Sequence, residues 1–229
     1  MAKLPWEWTA VTSQESIRQE IRRRLDAQRV VAVEICGRLG TGKTTIVEDM
    51  SAALGRVRRV GVVTPGLPRE VVPTAVPEEV GVWPVEGVSR LMPAMLLDAL
   101  DRVPLSALDY LFVEQNRDPT CGAPVLLGCH ARGVVLPAGG GLDQIDEVPL
   151  AIHKADFVLF TQVHLGAPGF DHDAARARVR QIEAQIPVFF LSHGEHSDWA
   201  EWLSYLERLR QERLHPPPEE GPSSDAYLG

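Results

Sequence analysis

Val30-Val31-Ala32-Val33-Glu34-Ile35-Cys36-Gly37-Arg38-Leu39-Gly40-Thr41-Gly42-Lys43-Thr44-Thr45 is the stretch that decides the fold. Its opening is a β-branched apolar run, which reads as a buried strand. Gly37 to Thr44 then fits the pattern G-x-x-x-x-G-K-[ST], and Lys43 to Leu54 reads as a helix that Gly55 can end. Strand, glycine-rich turn and helix in that order make a phosphate-binding loop. The glycines let the backbone curl until its N–H groups point inward at phosphate oxygens, and the helix start adds a partial positive charge. Lys43 is placed to reach the β and γ phosphates, and the Thr44 hydroxyl to sit on Mg2+. The expected nucleotide-binding residues are Gly37, Gly40, Thr41, Gly42, Lys43, Thr44 and Thr45.

Outward from this unit, Ser13 to Gln28 reads as a helix, with Ile17, Ile21 and Leu25 on its apolar face and Arg18, Arg22, Arg23 and Arg24 on a solvated one. Residues 1–12 are expected as an extended lead-in. Val57–Val63, Tyr110–Val113, Gly133–Leu136, Phe157–Phe160 and Val188–Leu191 read as further strands. Helices are expected over Ser89–Leu100, with Pro93 in a first turn, and near 171–185 and 197–213. The stretch 64–88 is rich in Pro, Gly and Val without a clear period, and is expected as an irregular, functional loop. Apolar strands alternating with helices predict a three-layer α/β P-loop NTPase domain over 13–213, its mostly parallel sheet flanked by helices. Residues 214–229, which include HPPPEEGPSSDAYLG, hold too little apolar surface to pack and are expected as a disordered tail.

A magnesium ion beside phosphates is held by one or two carboxylates. Glu114 is the best placed, because it ends the run Asp109-Tyr110-Leu111-Phe112-Val113. Ligands sit at the carboxyl edge of parallel sheets, so Glu114 and Thr44 are the expected Mg2+ residues, and Lys43 and Glu114 the expected catalytic ones. Asp109, at the other end of the strand, reads as a strand-start residue.

Composition narrows the function classes. The chain has 229 residues and 45% hydrophobic content, enough for one well-cored domain and too little for two large ones. A net charge of -8 and a pI near 5.4 give no global pull toward nucleic acid or anionic membrane. No apolar run approaches the roughly 20 residues of a membrane span, and MAKLPWEWTA has no apolar signal-peptide core. The 3 cysteines cannot form a paired disulfide framework. A cytoplasmic protein with reduced thiols, binding neither nucleic acid nor membrane, is expected.

Beyond the phosphate loop, three segments carry a family resemblance. They are Leu108-Asp109-Tyr110-Leu111-Phe112-Val113-Glu114-Gln115-Asn116 followed by Cys121, then His153-Lys154-Ala155-Asp156-Phe157-Val158-Leu159-Phe160, then Phe190-Leu191-Ser192 with Trp199, Trp202 and Leu203 downstream. In order and spacing they resemble the HypB/UreG nickel-insertion GTPases that mature hydrogenase and urease, a SIMIBI-type branch of the P-loop NTPases. The likeness covers about residues 15–210. It implies GTP as ligand, Cys121 as a nickel or zinc ligand, a metalloenzyme client or accessory protein as partner, and a possible homodimer.

The departures from that family are specific. Its base-recognition motif, Asn-Lys-x-Asp, reads Thr161-Gln162-Val163-His164 here. A histidine cannot copy the aspartate's two-acceptor fork on guanine, so loose base choice, GTP or ATP, is expected. The family's Cys-His metal pair falls near Ser89-Arg90, neither a soft ligand. An aspartate after the second strand falls near Thr64 or Pro65, which predicts slow hydrolysis.

Of the other polar sites, Cys36 reads as a small core residue. Cys129-His130 is a second soft pair after Cys121, read either as further metal ligands or as ordinary loop residues. His164, His172, His193 and His196 read as surface or packing residues, and Arg176, Arg178 and Arg180 as solvated. Gly139-Gly140-Gly141 reads as a mobile turn near the nucleotide or a plain flexible loop. The residues thus point to a Mg2+-dependent nucleotide-binding domain with slow hydrolysis, and the resemblance implies a role as a switch in nickel-centre assembly. A nucleotide sensor or scaffold without turnover, and a small-molecule kinase, are the alternatives.

Overall fold

Seven apolar segments become the strands of one parallel sheet: β1 (Val31–Gly37), β2 (Val60–Gly66), β3 (Gly81–Glu86), β4 (Tyr110–Asn116), β5 (Ala131–Pro137), β6 (Phe157–Thr161) and β7 (Val188–Phe190). The computed structural model describes residues 5–66, 80–116, 125–162, 170–191 and 197–214, with side chains from Ser13 onward. The strand order is β3-β2-β4-β1-β5-β6-β7, so β1 lies at the centre with β4 and β5 beside it. The chain leaves β1 toward one edge, returns to β4, and then builds the other half from β5 onward. The end of β1 is therefore a topological switch point, where open α/β sheets bind ligands.

Helices cover both faces. α2 (Lys43–Gly55) and α7 (Trp199–Leu214) pack on one face. There Ile46, Met50, Trp202 and Leu206 meet Val33, Ile35, Phe112 and Phe157. Trp202 is fully buried and its indole N–H points at the Met50 sulfur, 2.9 Å away. α1 (Pro5–Ala27) and α3 (Pro93–Leu100) cover half of the opposite face through Ile21, Leu25, Leu96 and Leu100. α4 (Asp143–Asp146), α5 (Pro149–His153) and α6 (His172–Ile182) cover the other half through Ile145, Ile152 and Val179. This is the expected three-layer α/β architecture, and every residue of β1 is buried, as a central parallel strand requires.

Several element expectations are corrected. The extended lead-in over 1–12 fails from Pro5 on, because α1 starts there. The stretch 64–88 is not irregular at its two ends: 64–66 finish β2, and β3 occupies Gly81–Glu86. β3 is an edge strand, the place where Pro84 is tolerated, because only one side of the strand needs N–H donors. Residues 67–79 lie outside the described residues. β2 begins at Val60 rather than Val57, since the turn closing α2 bonds Val57 and Arg58 N–H to the Leu54 carbonyl and leaves Val57 exposed. α3 begins at Pro93 rather than Ser89, with Pro93 in its first turn as expected.

The arginines read as solvated are only partly so. Arg22 is half-buried and donates to the carbonyls of Gly128 and Cys129, tying α1 to the approach of β5. Arg24 reaches Asp101 beyond α3. Arg176 pairs with Asp198 at 2.9 Å and lies over the Phe190 ring, and Arg178 pairs with Asp146.

Candidate functional site

Between β1 and α2 the loop turns through Gly40 at φ 82° and Gly42 at φ 81°, the left-handed region that glycine enters without a Cβ penalty. Gly42 caps α2, with no side chain bonding the cap and no acidic residue in the first turn. The positive end of a 13-residue helix is thus left open toward the loop. Inside the loop one acceptor collects three donors. The Arg38 carbonyl receives the Lys43 ammonium at 2.5 Å, the Thr41 hydroxyl at 3.0 Å and the Thr41 N–H at 3.4 Å. Lys43 is only 3% exposed. Burial pushes its pKa down, and the nearby Glu114 carboxylate pulls it back up. Thr44 and Thr45 follow in the first turn with exposed side chains.

Glu114 reaches this loop from β4. It is 4% exposed, and its two oxygens do different work. Oε1 accepts from the Thr44 hydroxyl at 2.7 Å, and Oε2 from the Thr64 hydroxyl at 3.0 Å. Three strand or helix ends therefore meet at one carboxylate. Glu48, one turn along α2 from Thr44, has its pKa raised by burial and by the charges of Asp49 and Glu114.

The other wall comes from β6. Thr161, 1% exposed, donates its hydroxyl to the Thr41 carbonyl. The Gln162 amide nitrogen donates to the Gly40 carbonyl at 3.0 Å, and Gln162 takes φ 55°. Val163 and His164 lie outside the described residues. Beside the loop, a cleft of about 270 Å³ is lined by Leu39, Thr41, Val135, Gly140, Gln144 and Val148. Gly140 and Gly141 belong to a folded turn there, which the Gln144 amide pins through the Pro137 and Gly141 carbonyls at 2.7 and 2.8 Å. The glycines thus stand in a turn beside the phosphate loop.

The expected residues separate cleanly. The loop residues Gly37 to Thr44 and Glu114 are brought together. Asp109 is structural, bonding the Arg59 N–H and pairing with Arg59 and Arg210. Cys36 is a buried core residue whose thiol donates to Glu34 at 3.0 Å and accepts from Arg132 at 3.3 Å, and burial drives its pKa up. Of the two readings of Cys129-His130, the contacts of His130 favour the one without a metal. Both ring nitrogens of His130 are engaged, Nδ1 by the Ala32 N–H at 2.9 Å and Nε2 by Asp26 at 2.8 Å. Among the described residues no three His, Cys, Asp or Glu side chains gather as a metal site. Cys121, His193 and His196 lie outside the described residues. His172 stacks on Phe190, 4.1 Å between ring centres, as a packing residue.

Thr64, Thr161 and Gln162 entered the sequence reading only as departures from the resembled family, without the contacts they make to Glu114 and the loop. A signal existed for two of them. Thr64 and Thr161 are the first polar residues at the carboxyl end of buried apolar runs, the same logic that found Glu114.

No established family profile matches the chain. The hydrogenase maturation factor HypB of Azotobacter chroococcum is 29% identical over 203 residues, which cover 85% of this chain and 65% of that protein. The chain thus spans slightly under two thirds of that relative's length. Among solved structures, HypB from Archaeoglobus fulgidus superposes with a TM-score of 0.75 at 19% identity, covering 87% of this chain and 99% of that one. HypB from Helicobacter pylori, solved in complex with nickel, gives 0.74 at 17% identity, covering 89% and 97%. The P-loop at the switch point, the carboxylate of β4 beside it and these likenesses lead to one conclusion: the chain has the fold of the P-loop NTPases and is similar in sequence to the HypB hydrogenase maturation factors.

Proposed function

We propose that the protein is a nucleoside-triphosphate-binding switch that serves nickel-centre assembly in a metalloenzyme and hydrolyses its nucleotide slowly. One observation carries the nucleotide half: Glu114 holds the Thr44 hydroxyl at 2.7 Å directly beside the Lys43 loop. These are hard oxygen donors, the kind Mg2+ takes alongside phosphate oxygens. Thr44 and Glu114 would hold the ion or its waters, and Mg2+ would supply charge neutralisation across the β and γ phosphates. The assembly half rests on the relatives, whose names are those of hydrogenase maturation factors, and on the neighbour solved with nickel. The described residues supply no ligand cluster for nickel. Among the described residues no helix is long and apolar enough to cross a membrane, which is compatible with a cytoplasmic setting.

Base choice and turnover follow from what stands at the two walls. Thr161 and Gln162 point at the loop backbone, so the proposed GTP preference over ATP is well below the 10⁴ or so of a buried polar readout. Thr64 offers a neutral hydroxyl where the family resemblance places an acid, so unassisted turnover well under about one per minute is expected. The sensor reading differs only in turnover. Calorimetry with GTP and ATP, with and without Mg2+, followed by single-turnover hydrolysis, tests both. Absence of triphosphate binding refutes the switch. Turnover above about one per second refutes the slow cycle. Binding without any hydrolysis leaves the sensor.

A further inference from the structure

We propose that Thr161 and Gln162 brace the phosphate loop from β6, setting triphosphate affinity from outside the loop without reading the base. The inference rests on the triphosphate-site reading above and adds residues to it.

The geometry is specific. In a trans peptide unit the C=O and N–H point opposite ways. Fixing the Gly40 carbonyl therefore fixes the direction of the Thr41 N–H, and fixing the Thr41 carbonyl fixes the Gly42 N–H. Gln162 holds the first carbonyl at 3.0 Å and Thr161 the second. Both carbonyls are thus drawn toward β6, and the amides that share their peptide planes are turned away from it; the Thr41 N–H accordingly lies on the Arg38 carbonyl inside the loop, the acceptor that a phosphate oxygen would replace. The two side chains also lie flat against the loop: a Cβ built on Gly42 would stand 3.5 Å from the Thr161 hydroxyl and 3.6 Å from the Gln162 amide nitrogen.

Two further observations separate bracing from base reading. Gln162 sits at φ 55°, a backbone region that residues with side chains avoid, and this conformation accompanies the contact of its amide with Gly40. That amide nitrogen is committed to the loop. Thr161 is 1% exposed, so its hydroxyl is closed off from a ligand in solution and its proton goes to the Thr41 carbonyl.

The test uses the full chain with Mg2+ and three probes: inorganic triphosphate, GTP and ATP, each titrated by calorimetry. Thr161→Val and Gln162→Ala should each weaken all three by a common factor of about five to ten, the scale of one lost hydrogen bond, with the GTP-to-ATP ratio unchanged. Thr161→Ser should restore binding, and unliganded melting temperatures verify that each variant is folded. A changed GTP-to-ATP ratio with inorganic triphosphate unaffected would make these residues base readers and overturn the brace. Full affinity for all three probes in both valine and alanine variants overturns it as well. Failure of the parent protein to bind any probe removes the triphosphate-site reading itself, a result distinct from either.

Discussion

Lys43 spends its ammonium on the neutral carbonyl of Arg38 in a site that is 3% exposed. Burial lowers its pKa, so the charged form is held at a cost that an anionic partner would relieve. A triphosphate offers charged acceptors in place of that carbonyl, and charge-assisted hydrogen bonds are the stronger kind. Lys43→Ala is therefore expected to weaken Mg2+-triphosphate binding by about 1.5–3 kcal/mol, tenfold or more in the dissociation constant measured by calorimetry. Unchanged affinity refutes the loop's assignment. Cys121 is the counterpart where chemistry is sparse. An isolated thiolate rarely holds a metal tightly, because protein zinc sites use at least three protein ligands. With Cys129 partly buried against the core and His130 held through both ring nitrogens, we expect weak Ni2+ or Zn2+ binding at most, falling as pH drops because the thiol must be deprotonated. Equilibrium dialysis should show Cys121→Ala losing most of it. Equal binding by parent and variant leaves the nickel role without local support.

At the scale of elements, β4 stands out because successive residues serve opposite faces of the sheet. Glu114 faces α2 and the loop, whereas Gln115, 1% exposed, faces the other side. Its amide forms two hydrogen bonds to the backbone of Leu91, N–H to Oε1 at 2.8 Å and Nε2 to carbonyl at 2.9 Å. One side chain thus substitutes for a strand partner and fixes the segment Ser89–Met92 that leads into α3. Gln115→Leu leaves a buried N–H and C=O unpaired, a loss of about 1–3 kcal/mol each at most. The expected outcome is a stability loss of that order in urea unfolding, with faster hydrogen exchange at Leu91 and unchanged exchange in α7. Exchange at Leu91 as slow as in the parent rules out the clamp. Nothing in the sequence could have revealed it, since a glutamine gives no sign of which backbone it will meet. The strands that were legible, such as Val31–Gly37 and Phe157–Thr161, are fully buried, mainly apolar runs with a partner strand on both sides. β3 was not, because an edge strand is half-buried and its Gly81, Trp83 and Pro84 obey no period. The phosphate loop was legible because backbone geometry demands glycine at fixed spacing. Its braces were not, because Thr161 and Gln162 act through backbone carbonyls more than a hundred residues away.

Across the whole molecule, His130 is where three elements close on one another. Its Nδ1 accepts the Ala32 N–H of β1, its own N–H donates to the Ala32 carbonyl at 2.8 Å, and its Nε2 meets Asp26 of α1 just before β5 begins. Since Nδ1 accepts, the neutral ring carries its proton on Nε2 and donates to the Asp26 carboxylate. A second proton must go on Nδ1, which breaks the bond to Ala32 and sets a cation in a buried site beside Arg22 and Arg213. Burial accordingly lowers the pKa to about 4, Asp26 working in the opposite direction and the two arginines adding to the fall. In the unfolded chain the ring titrates near pH 6.5. Between these values the unfolded state binds more protons than the folded one, so stability is complete above about pH 6.5 and drains away as pH falls through the window to about 4. The full span is on the order of 3 kcal/mol. Urea midpoints taken from neutral pH down to about pH 5 should therefore decline in the parent. A His130→Gln variant, less stable at neutral pH because it cannot reproduce both contacts, should show a flatter decline over the same window. Parallel slopes for the two proteins would assign the acid sensitivity to other groups and reduce His130 to a packing residue.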